Sequence, residues 1–298
     1  MILENDNTFG VEIETVMPVA SLCANGWQVG AYHVGADIPN GNGWKTMRDG
    51  SIQPSDYNHT GVEIVSPILR GAEGIASVDS MVARLRGMGA TVNASCGLHV
   101  HVGFDGSAQQ LANLISLVSY HEKALYASTG TKSREANRYC GSIKLAFKPL
   151  EKMRSMSELR GPGSNRYSSL NLQNLIDGRR PTVEFRVFAG TLNATKIKAY
   201  VQICLGLVQR AMSTFARKSS WNRKGHTSAR LSQGASSVTS LLGAIGWSKH
   251  ASNVGARVPV KLMGENHNCV VFGLVTPTEL PKMRRILGKM AKKYDAAV

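Results

Sequence analysis

Alternation of apolar and polar residues predicts four β-strands in this chain, because residues at every second position of a strand share one face. The clearest alternation runs through Phe9–Val16, Leu98–Val102 and Val183–Phe188. A fourth segment, Gly61–Ser66, is more apolar but has Glu63 in its middle. The first three strands therefore have an apolar face for a protein core and a polar face opposite to it.

Between these strands, apolar residues recur at three- and four-residue steps, which is typical of amphipathic helices. Such helices are predicted over Ala72–Met88, over Ser107–Ser128 and after Asn193, whose side chain can cap the helix that follows. Strands and helices of this kind predict an α+β fold in which the helices cover one face of a sheet.

The chain changes character after Arg217. Residues 218–240 are rich in Ser, Gly, Lys and Arg, and they predict a basic loop or linker. The elements predicted beyond it are a short helix over Val238–Trp247, a strand over Cys269–Val275 and a last helix. That last helix is predicted to begin with a capping box formed by Thr276 and Glu279, with Pro277 as its first helical residue.

The positive charge of the chain is concentrated in its C-terminal third. The formal net charge is +15, and residues 210–298 hold 15 Lys or Arg against three acids, Glu265, Glu279 and Asp295. This asymmetry indicates an acidic partner such as a nucleic acid, nucleotide phosphates or an acidic polymer, although a solvated basic surface without a partner fits equally well. We predict a main domain over residues 1–217 and a basic extension over 218–298 that packs on it.

The sequence lacks the features of membrane and secreted proteins. No apolar run reaches the roughly 18 residues of a membrane span, and the first residues lack the basic and then apolar order of a signal peptide. The five cysteines are scattered and form no C-x-x-C pair, which argues against a disulfide framework and a zinc knuckle. We expect a cytoplasmic protein that does not bind membranes.

Each alternating strand presents a pair of chemically active residues on its polar face. The pairs are Glu12 with Glu14, His99 with His101, and Glu184 with Arg186. Side chains at positions i and i+2 lie on one side of a strand about 7 Å apart, so each pair can place two ligands beside a common cleft. A single pair of this kind also occurs on ordinary solvent-exposed strands. If the three strands are neighbours in the sheet, however, all six residues form one polar patch.

Clustered carboxylates repel one another, and a bound divalent cation supplies the charge that compensates them. The predicted ligands are an imidazole and four carboxylates, namely His99, Glu12, Glu14, Glu63 and Glu184. Because oxygen ligands dominate this set, it favours Mg²⁺ or Mn²⁺ over zinc. The metals would in turn hold a nucleotide.

Five segments resemble, in order along the chain, the motifs of the putative amidoligase family, which is similar to glutamine synthetases and glutamate–cysteine ligases. The segments are Phe9–Glu14, Arg48–Ile52, Gly61–Pro67, Cys96–Gly103 and Thr182–Arg186. Weaker matches at Arg166–Asn171 and Gly190–Asn193 also lie in the expected order. The resemblance implies a catalytic domain of the glutamine synthetase type over residues 1–217, with a curved, mostly antiparallel sheet and helices on its outer face.

The resemblance also implies roles for individual residues. Two or more divalent metals would lie between ATP and a carboxylate substrate, bound by Glu12, Glu14, Glu63, His99 and Glu184. His101 would face the nucleotide or the substrate, and Arg186 would stabilise the transferring γ-phosphoryl group. Asn171 and the turn from Asp49 to Ser51 would complete the cofactor-binding set.

The reaction implied by the resemblance is the ATP-dependent ligation of a carboxylate to an amine. A carboxylate is a poor electrophile, so ATP would convert it to an acyl phosphate, and an amine would then displace phosphate to form an amide or isopeptide bond. Glu63 or Glu122 could deprotonate the incoming ammonium. For Glu122, which lies on an apolar helical stripe, a salt bridge is the simpler expectation.

Other functions fit parts of the pattern. A guanidino-group kinase shares the fold family and would use the same metal and ATP. A zinc hydrolase would use His99 and His101, but the many carboxylates argue against it. A non-catalytic nucleic-acid-binding protein would explain the basic C-terminal third, and it predicts that Glu12, Glu14 and Glu184 do not meet in one cleft. A ligase whose basic C-terminal third recruits it to a nucleic acid would combine two of these functions.

Overall fold

The computed structural model, which describes residues 7–54, 56–135, 137–143, 155–159, 166–213, 234–247 and 278–297, contains a seven-stranded sheet. The strands are β1 (Phe9–Pro18), β2 (Ala36–Asp37), β3 (Lys45–Met47), β4 (His59–Val65), β5 (Gly97–Gly103), β6 (Leu170–Asn171) and β7 (Thr182–Ala189). Their order across the sheet is β2-β3-β4-β1-β5-β7-β6, and all neighbours are antiparallel. The four strands that the alternation predicts are therefore consecutive in the middle of the sheet.

Helices account for most of the remaining described residues. They are α1 (Val19–Ala24), α2 (Gly71–Gly87), α3 (Ala108–Ala127), α4 (Gln173–Ile176), α5 (Ala194–Ser213), α6 (Gly234–Ala244) and α7 (Leu280–Ala296). Side-chain caps fix where two of the predicted helices begin. Ser107 and Gln110 form a capping box at α3, and Asn193 Oδ1 accepts a hydrogen bond of 3.0 Å from Lys196 N at α5.

The apolar face of the sheet packs on the long helices. Phe9 of β1 lies so close to α2 that a Cβ atom at Gly74 would be 3.0 Å from its ring. Phe188 of β7 stacks on Tyr200 of α5 with ring centroids 4.3 Å apart, and each buried side chain of this kind contributes about 1.5–3 kcal/mol. The α+β class, the antiparallel sheet and the helices on one of its faces are thus confirmed, while the glutamine synthetase type stays a prediction.

The C-terminal helices pack on this helical layer, where α6 contacts α3, and α7 contacts α3, α5 and α6. The last helix begins at Leu280 with Pro281 in its first turn, three residues after Pro277, where the predicted capping box places its first residue. The Glu279 carboxylate lies 3.6 Å from Lys198 Nζ. Thr276, Pro277, the predicted strand over 269–275 and most of the predicted basic loop lie outside the described residues.

The described helices were also compared with the length and apolarity of a bilayer span. None of them is both long enough and apolar enough to cross a membrane. The domain boundary predicted at residue 217 stays a prediction, because residues 214–233 lie outside the described part of the chain.

Candidate metal and nucleotide site

The register of the central strands brings the predicted site residues side by side. The resulting cross-strand pairs are Glu14 with Glu63, Glu12 with His99, His101 with Glu184, and Asn171 with Glu184. Residues paired in this way have Cβ atoms about 5 Å apart. The site is therefore built by strand pairing on the face of the sheet opposite to the helices, and the predicted convergence of the polar pairs is confirmed.

Glu12 contacts both histidines of β5. Its Oε2 atom lies 3.0 Å from His99 Nδ1, and its Oε1 atom lies 3.0 Å from His101 Nε2. On the other side of the His99 ring, Nε2 is 3.3 Å from Glu14 Oε1, and Glu14 Oε2 accepts a hydrogen bond of 2.6 Å from Gly97 N. These contacts fix the orientation of the His99 ring, as second partners do for imidazoles that bind metals.

Two overlapping groups of side chains could hold a metal ion. Glu12, His99 and Glu184 each offer a ligand atom, and these atoms lie within 4.8 Å of one another. Glu14, Glu63 and His99 form a second group that meets the same limit. Together they provide four carboxylates and one imidazole, a set dominated by oxygen that fits Mg²⁺ or Mn²⁺ better than zinc. His101 belongs to neither group.

One of the crowded carboxylates, that of Glu63, holds a proton in the absence of a cation. Burial and the neighbouring charges of Glu12 and Glu14 raise the pKa of Glu63 to about 10. Burial by itself would lower the pKa of His101, but Glu12 and Glu184 raise it to about 9. Burial also opposes ionisation of Glu12, yet the two histidines hold its pKa well below the usual value. At neutral pH, a proton therefore remains on Glu63 where a metal would bind.

Binding of Mn²⁺ or Mg²⁺ is expected to release about one proton at neutral pH, because Glu63 can ligate a metal only after it loses the proton. The raised pKa means that the proton is present below about pH 10, so the apparent metal affinity should increase as the pH rises toward that value. Calorimetric titration with Mn²⁺ in buffers of different ionisation enthalpy measures the release. Glu63→Gln should remove it, and a binding enthalpy that is the same in all buffers would contradict this prediction.

Arg186 and Asn171 hold Glu184 from two sides. Asn171 Nδ2 donates a hydrogen bond of 2.6 Å to Oε2, and Arg186 Nη1 donates one of 2.6 Å to Oε1. The pairing of β5 with β7 shifts by one residue between Leu98 and Val100, which places a β-bulge at Arg186. Bulges redirect side chains. Here the half-buried guanidinium lies beside the carboxylates, where it could meet a phosphoryl group.

The turn from Asp49 to Ser51 adjoins the site on the side of Glu63. Ser51 N donates a hydrogen bond of 2.7 Å to Asp49 Oδ1, which closes the turn. The charge of Asp49 contributes to the raised pKa of Glu63, so the two carboxylates are near each other. Contact of this turn with a cofactor stays a prediction.

Glu122 has a different environment from the one that its sequence position predicts. Its carboxylate accepts hydrogen bonds from Ser142 Oγ at 2.6 Å, Ile143 N at 2.7 Å and Ser169 Oγ at 2.6 Å. Among the described residues, no Lys, Arg or His nitrogen lies within 4 Å of it. The expected salt bridge is therefore wrong. A carboxylate that three donors already occupy is a structural link between α3 and the segments before β6, and it does not fit the role of general base.

Glu122→Ala is expected to destabilise the protein by about 3 kcal/mol, because it leaves two hydroxyls and a backbone N–H without their acceptor in a buried environment. Urea unfolding followed by circular dichroism measures the loss. Ser142→Ala, which removes one of the three bonds, is the matched variant and should cost about 1 kcal/mol. Equal stability of wild type and Glu122→Ala would show that these bonds contribute nothing.

Sequence analysis missed two residues that contact Arg186. Arg134, which lies in the turn after α3, donates a hydrogen bond of 2.7 Å from Nη2 to the Arg186 carbonyl. Tyr139 uses its backbone carbonyl to accept a hydrogen bond of 3.2 Å from Arg186 Nε. Arg134 lies in a turn and Tyr139 in a three-residue 3₁₀ helix, and both segments are too short for a periodicity to indicate which way a side chain points. No local signal in the sequence could have found them.

No curated protein matches the chain. Two solved structures, each 10% identical, are similar to it over 98% of its length: a bifunctional glutathione synthetase from Pasteurella multocida (TM-score 0.44) and the complex between the prokaryotic ubiquitin-like protein Pup and its ligase PafA (TM-score 0.41). The chain covers only 52% and 65% of those two chains, and at these TM-scores the likeness adds nothing to an assignment.

The family model gives the decisive result. The model described as "putative amidoligase enzyme" matches residues 5–208, which is more than half of the chain and includes all four central strands. None of the comparisons supports the nucleic-acid partner predicted for the C-terminal third. On the strength of the family match, this chain belongs to the putative amidoligase enzyme family.

Proposed function

We propose that the protein is a carboxylate–amine ligase that uses ATP and a divalent cation, Mg²⁺ or Mn²⁺, to form an amide or isopeptide bond. The observation that carries this proposal is the meeting of four glutamates, two histidines and Arg186 on one face of the sheet. Membership in the amidoligase family supports the same reaction class. A nucleic-acid-binding surface, by contrast, would not place four carboxylates together.

The acidic part of the site would bind the metal. Its ligands would be His99 and the carboxylates of Glu12, Glu14, Glu63 and Glu184. A divalent cation bound there would neutralise charge on the phosphate oxygens of ATP. Glu12 orients the imidazoles of His99 and His101, while Asn171 and Arg186 orient Glu184.

The substrate carboxylate must be activated before an amine can attack it. One carboxylate oxygen would form a bond to the γ-phosphorus of ATP while the bond from that phosphorus to the bridging oxygen breaks, which gives an acyl phosphate and ADP. The amine would then form a bond to the acyl carbon, and phosphate would leave with the electron pair of the C–O bond. Arg186 provides a cation, fixed by its bond to Glu184, for the charge on the transferring oxygens.

The ammonium group of the second substrate has to lose a proton before it attacks. Glu63 and His101 are the candidates for accepting it, since both lie within the site and Glu122 does not fit. Each would first have to lose the proton that its raised pKa retains at neutral pH, which a bound divalent cation would favour. The His101 side chain is 16% exposed and that of His99 only 3%, so His101 is the histidine that an incoming substrate can reach. We assign His101 to the face that meets the nucleotide or the substrate.

The proposed function is tested by a panel of amines and carboxylates, including amino acids, assayed for ADP release in the presence of Mg²⁺ or Mn²⁺. A ligase releases ADP only when both substrates are present, and mass spectrometry then detects a product heavier by the amine minus water. A guanidino-group kinase would instead give a phosphorylated product without an amide. Zinc-dependent hydrolysis without ATP consumption would contradict both.

A further inference from the structure

The C-terminal helix α7 contacts the turn that follows α3, although it lies outside the residues that the family model matches. The hydroxyl of Tyr294 donates a hydrogen bond to the Glu135 carboxylate. Met290 packs against Gly130, where a φ of 77° and the closeness of the methionine sulfur leave no room for a side chain. Helix α7 therefore packs against the segment from Gly130 to Glu135 and restrains it.

This segment carries Arg134, a buried cation. The residue is 2% exposed, its Nε atom has no hydrogen-bond partner, and no carboxylate oxygen lies within 4 Å of its guanidinium among the described residues. A Cβ atom at Gly97 would lie 3.1 Å from Arg134 Nη2 and 3.2 Å from His99 Nε2. Because Gly97 and His99 share one face of β5, the guanidinium lies on the metal-binding face itself, beside the His99 ring. Burial of a charge without a close counter-ion is costly, so the hydrogen bond that this guanidinium donates to the Arg186 carbonyl has to offset part of that cost.

Arg134 is one of several groups that fix Arg186 at the bulge of β7. The backbone N–H of Arg186 donates to Ser169 O at 2.9 Å, its Nε donates to Tyr139 O at 3.2 Å, and its carbonyl accepts from Arg134 Nη2 at 2.7 Å. The bond from Arg134 is donated by a charged guanidinium, as is the one from Arg186 Nε, and it is the shorter of the two; such charge-assisted bonds are the strongest. It also spans 52 residues of sequence, so it ties the turn after α3 to the middle of the site.

We propose that Arg134 is a positioning residue for Arg186, and that α7 keeps Arg134 in place through the contact of Tyr294 with Glu135. The positioning of Arg186 by Arg134 is inferred from these contacts alone, whereas the catalytic role of Arg186 rests on the proposed function. The C-terminal helix α7 would thereby help to keep the Arg186 guanidinium in the orientation that faces the phosphoryl group. Enzymatic sites lose activity when a reacting group is displaced by about 1 Å, so this support would matter for the rate.

The direct test is the hydrogen exchange of the Arg186 Nε–H, which donates to Tyr139 O and is buried enough for its signal to be resolved by NMR. The signal is identified by its absence from Arg186→Lys. Exchange is expected to be about tenfold faster in Arg134→Gln, which removes a bond to Arg186 itself, and about threefold faster in Tyr294→Phe, whose bond to Glu135 acts on Arg186 only through Arg134. Arg134→Lys should recover part of the protection. Arg179→Gln, which removes only an exposed ion pair with Asp177, should leave the rate unchanged.

A second measurement separates this inference from the proposed function. The rate of single-turnover ADP release at saturating Mg·ATP is measured in wild type, Arg134→Gln, Arg186→Gln and the double variant. If Arg134 acts through Arg186, the two losses do not add in the double variant. Additive losses, or an unchanged Arg186 exchange rate in both Arg134→Gln and Tyr294→Phe, would overturn the inference. A wild type that binds no Mg·ATP would instead refute the proposed function, and the exchange rates would still decide on Arg134. Tyr294→Phe keeps the buried ring, so the exchange rate of the Arg186 Nε–H in this variant tests the inference even if Arg134→Gln does not fold.

Discussion

Glu12→Gln is expected to lower metal-dependent ADP release by about 10²–10³, the loss typical of removing one group that is aimed at developing charge. Glu12 lies within hydrogen-bond distance of both His99 and His101, and together with His99 and Glu184 it forms one of the two groups that could hold a metal ion. An amide in its place offers one oxygen instead of two and directs an N–H toward an imidazole. The dissociation constant for Mn²⁺, measured by calorimetry, should rise at least about tenfold in the same variant.

Glu73→Gln is the matched control for Glu12→Gln. Glu73 is an exposed carboxylate in the first turn of α2, on the helical side of the sheet, so its replacement changes the net charge by the same amount without touching the site. ADP release by Glu73→Gln should equal that of wild type. Equal ADP release from wild type and Glu12→Gln would remove the metal-binding assignment of this carboxylate.

Arg186→Gln is expected to reduce the turnover number by about 10³, the lower end of what a cation at a transferring phosphoryl group contributes. The substitution removes the charge and also leaves Glu184 without its bond of 2.6 Å to Nη1. Affinity for Mg·ATP should change much less than turnover, because the charge on the transferring oxygens is largest in the transition state. Single-turnover ADP release at saturating ATP separates the two quantities.

Arg186→Lys distinguishes charge from geometry at the same position. Lysine keeps the positive charge but cannot donate to both Glu184 and the Tyr139 carbonyl in the planar arrangement of a guanidinium. We expect it to recover part of the turnover lost in Arg186→Gln. If Arg186→Gln weakened only the binding of ATP and kept the turnover number of wild type, Arg186 would be a ground-state binding residue, and the proposed role in phosphoryl transfer would be refuted.

The parts of the fold that sequence analysis identifies are those with a long and regular pattern. Strands β1, β5 and β7 alternate over five or more residues, and the sheet extends each of them by one or two residues at one end or both. Strands β2, β3 and β6 have only two or three residues, which is too short for any periodicity to be recognised. The order of the strands could not be predicted from local patterns, because pairs such as Glu12 and His99 are separated by 87 residues.

The candidate site was predictable as far as its residues are side chains on regular strands. Glu12, His99 and Glu184 could be found because period-2 alternation determines which face each side chain occupies. The turn that carries Arg134 has no such rule. Likewise, the local pattern assigned Glu279 to a capping box and gave no sign that its carboxylate would lie 3.6 Å from Lys198 Nζ of α5. Long-range contacts of this kind are decided by tertiary packing, which a single sequence does not display.

Strand β1 pairs with β4 on one side and with β5 on the other, and it alternates core residues with metal-binding residues along its length. Insertion or deletion of a single residue before Glu12 would turn that carboxylate toward the helices and bring Ile13 to the metals. Insertion or deletion of two residues would keep the apolar side chains of β1 facing the helices and its carboxylates facing the metal site. Engineering of this chain should therefore alter β1 only in steps of two, and place odd-numbered length changes in the loops.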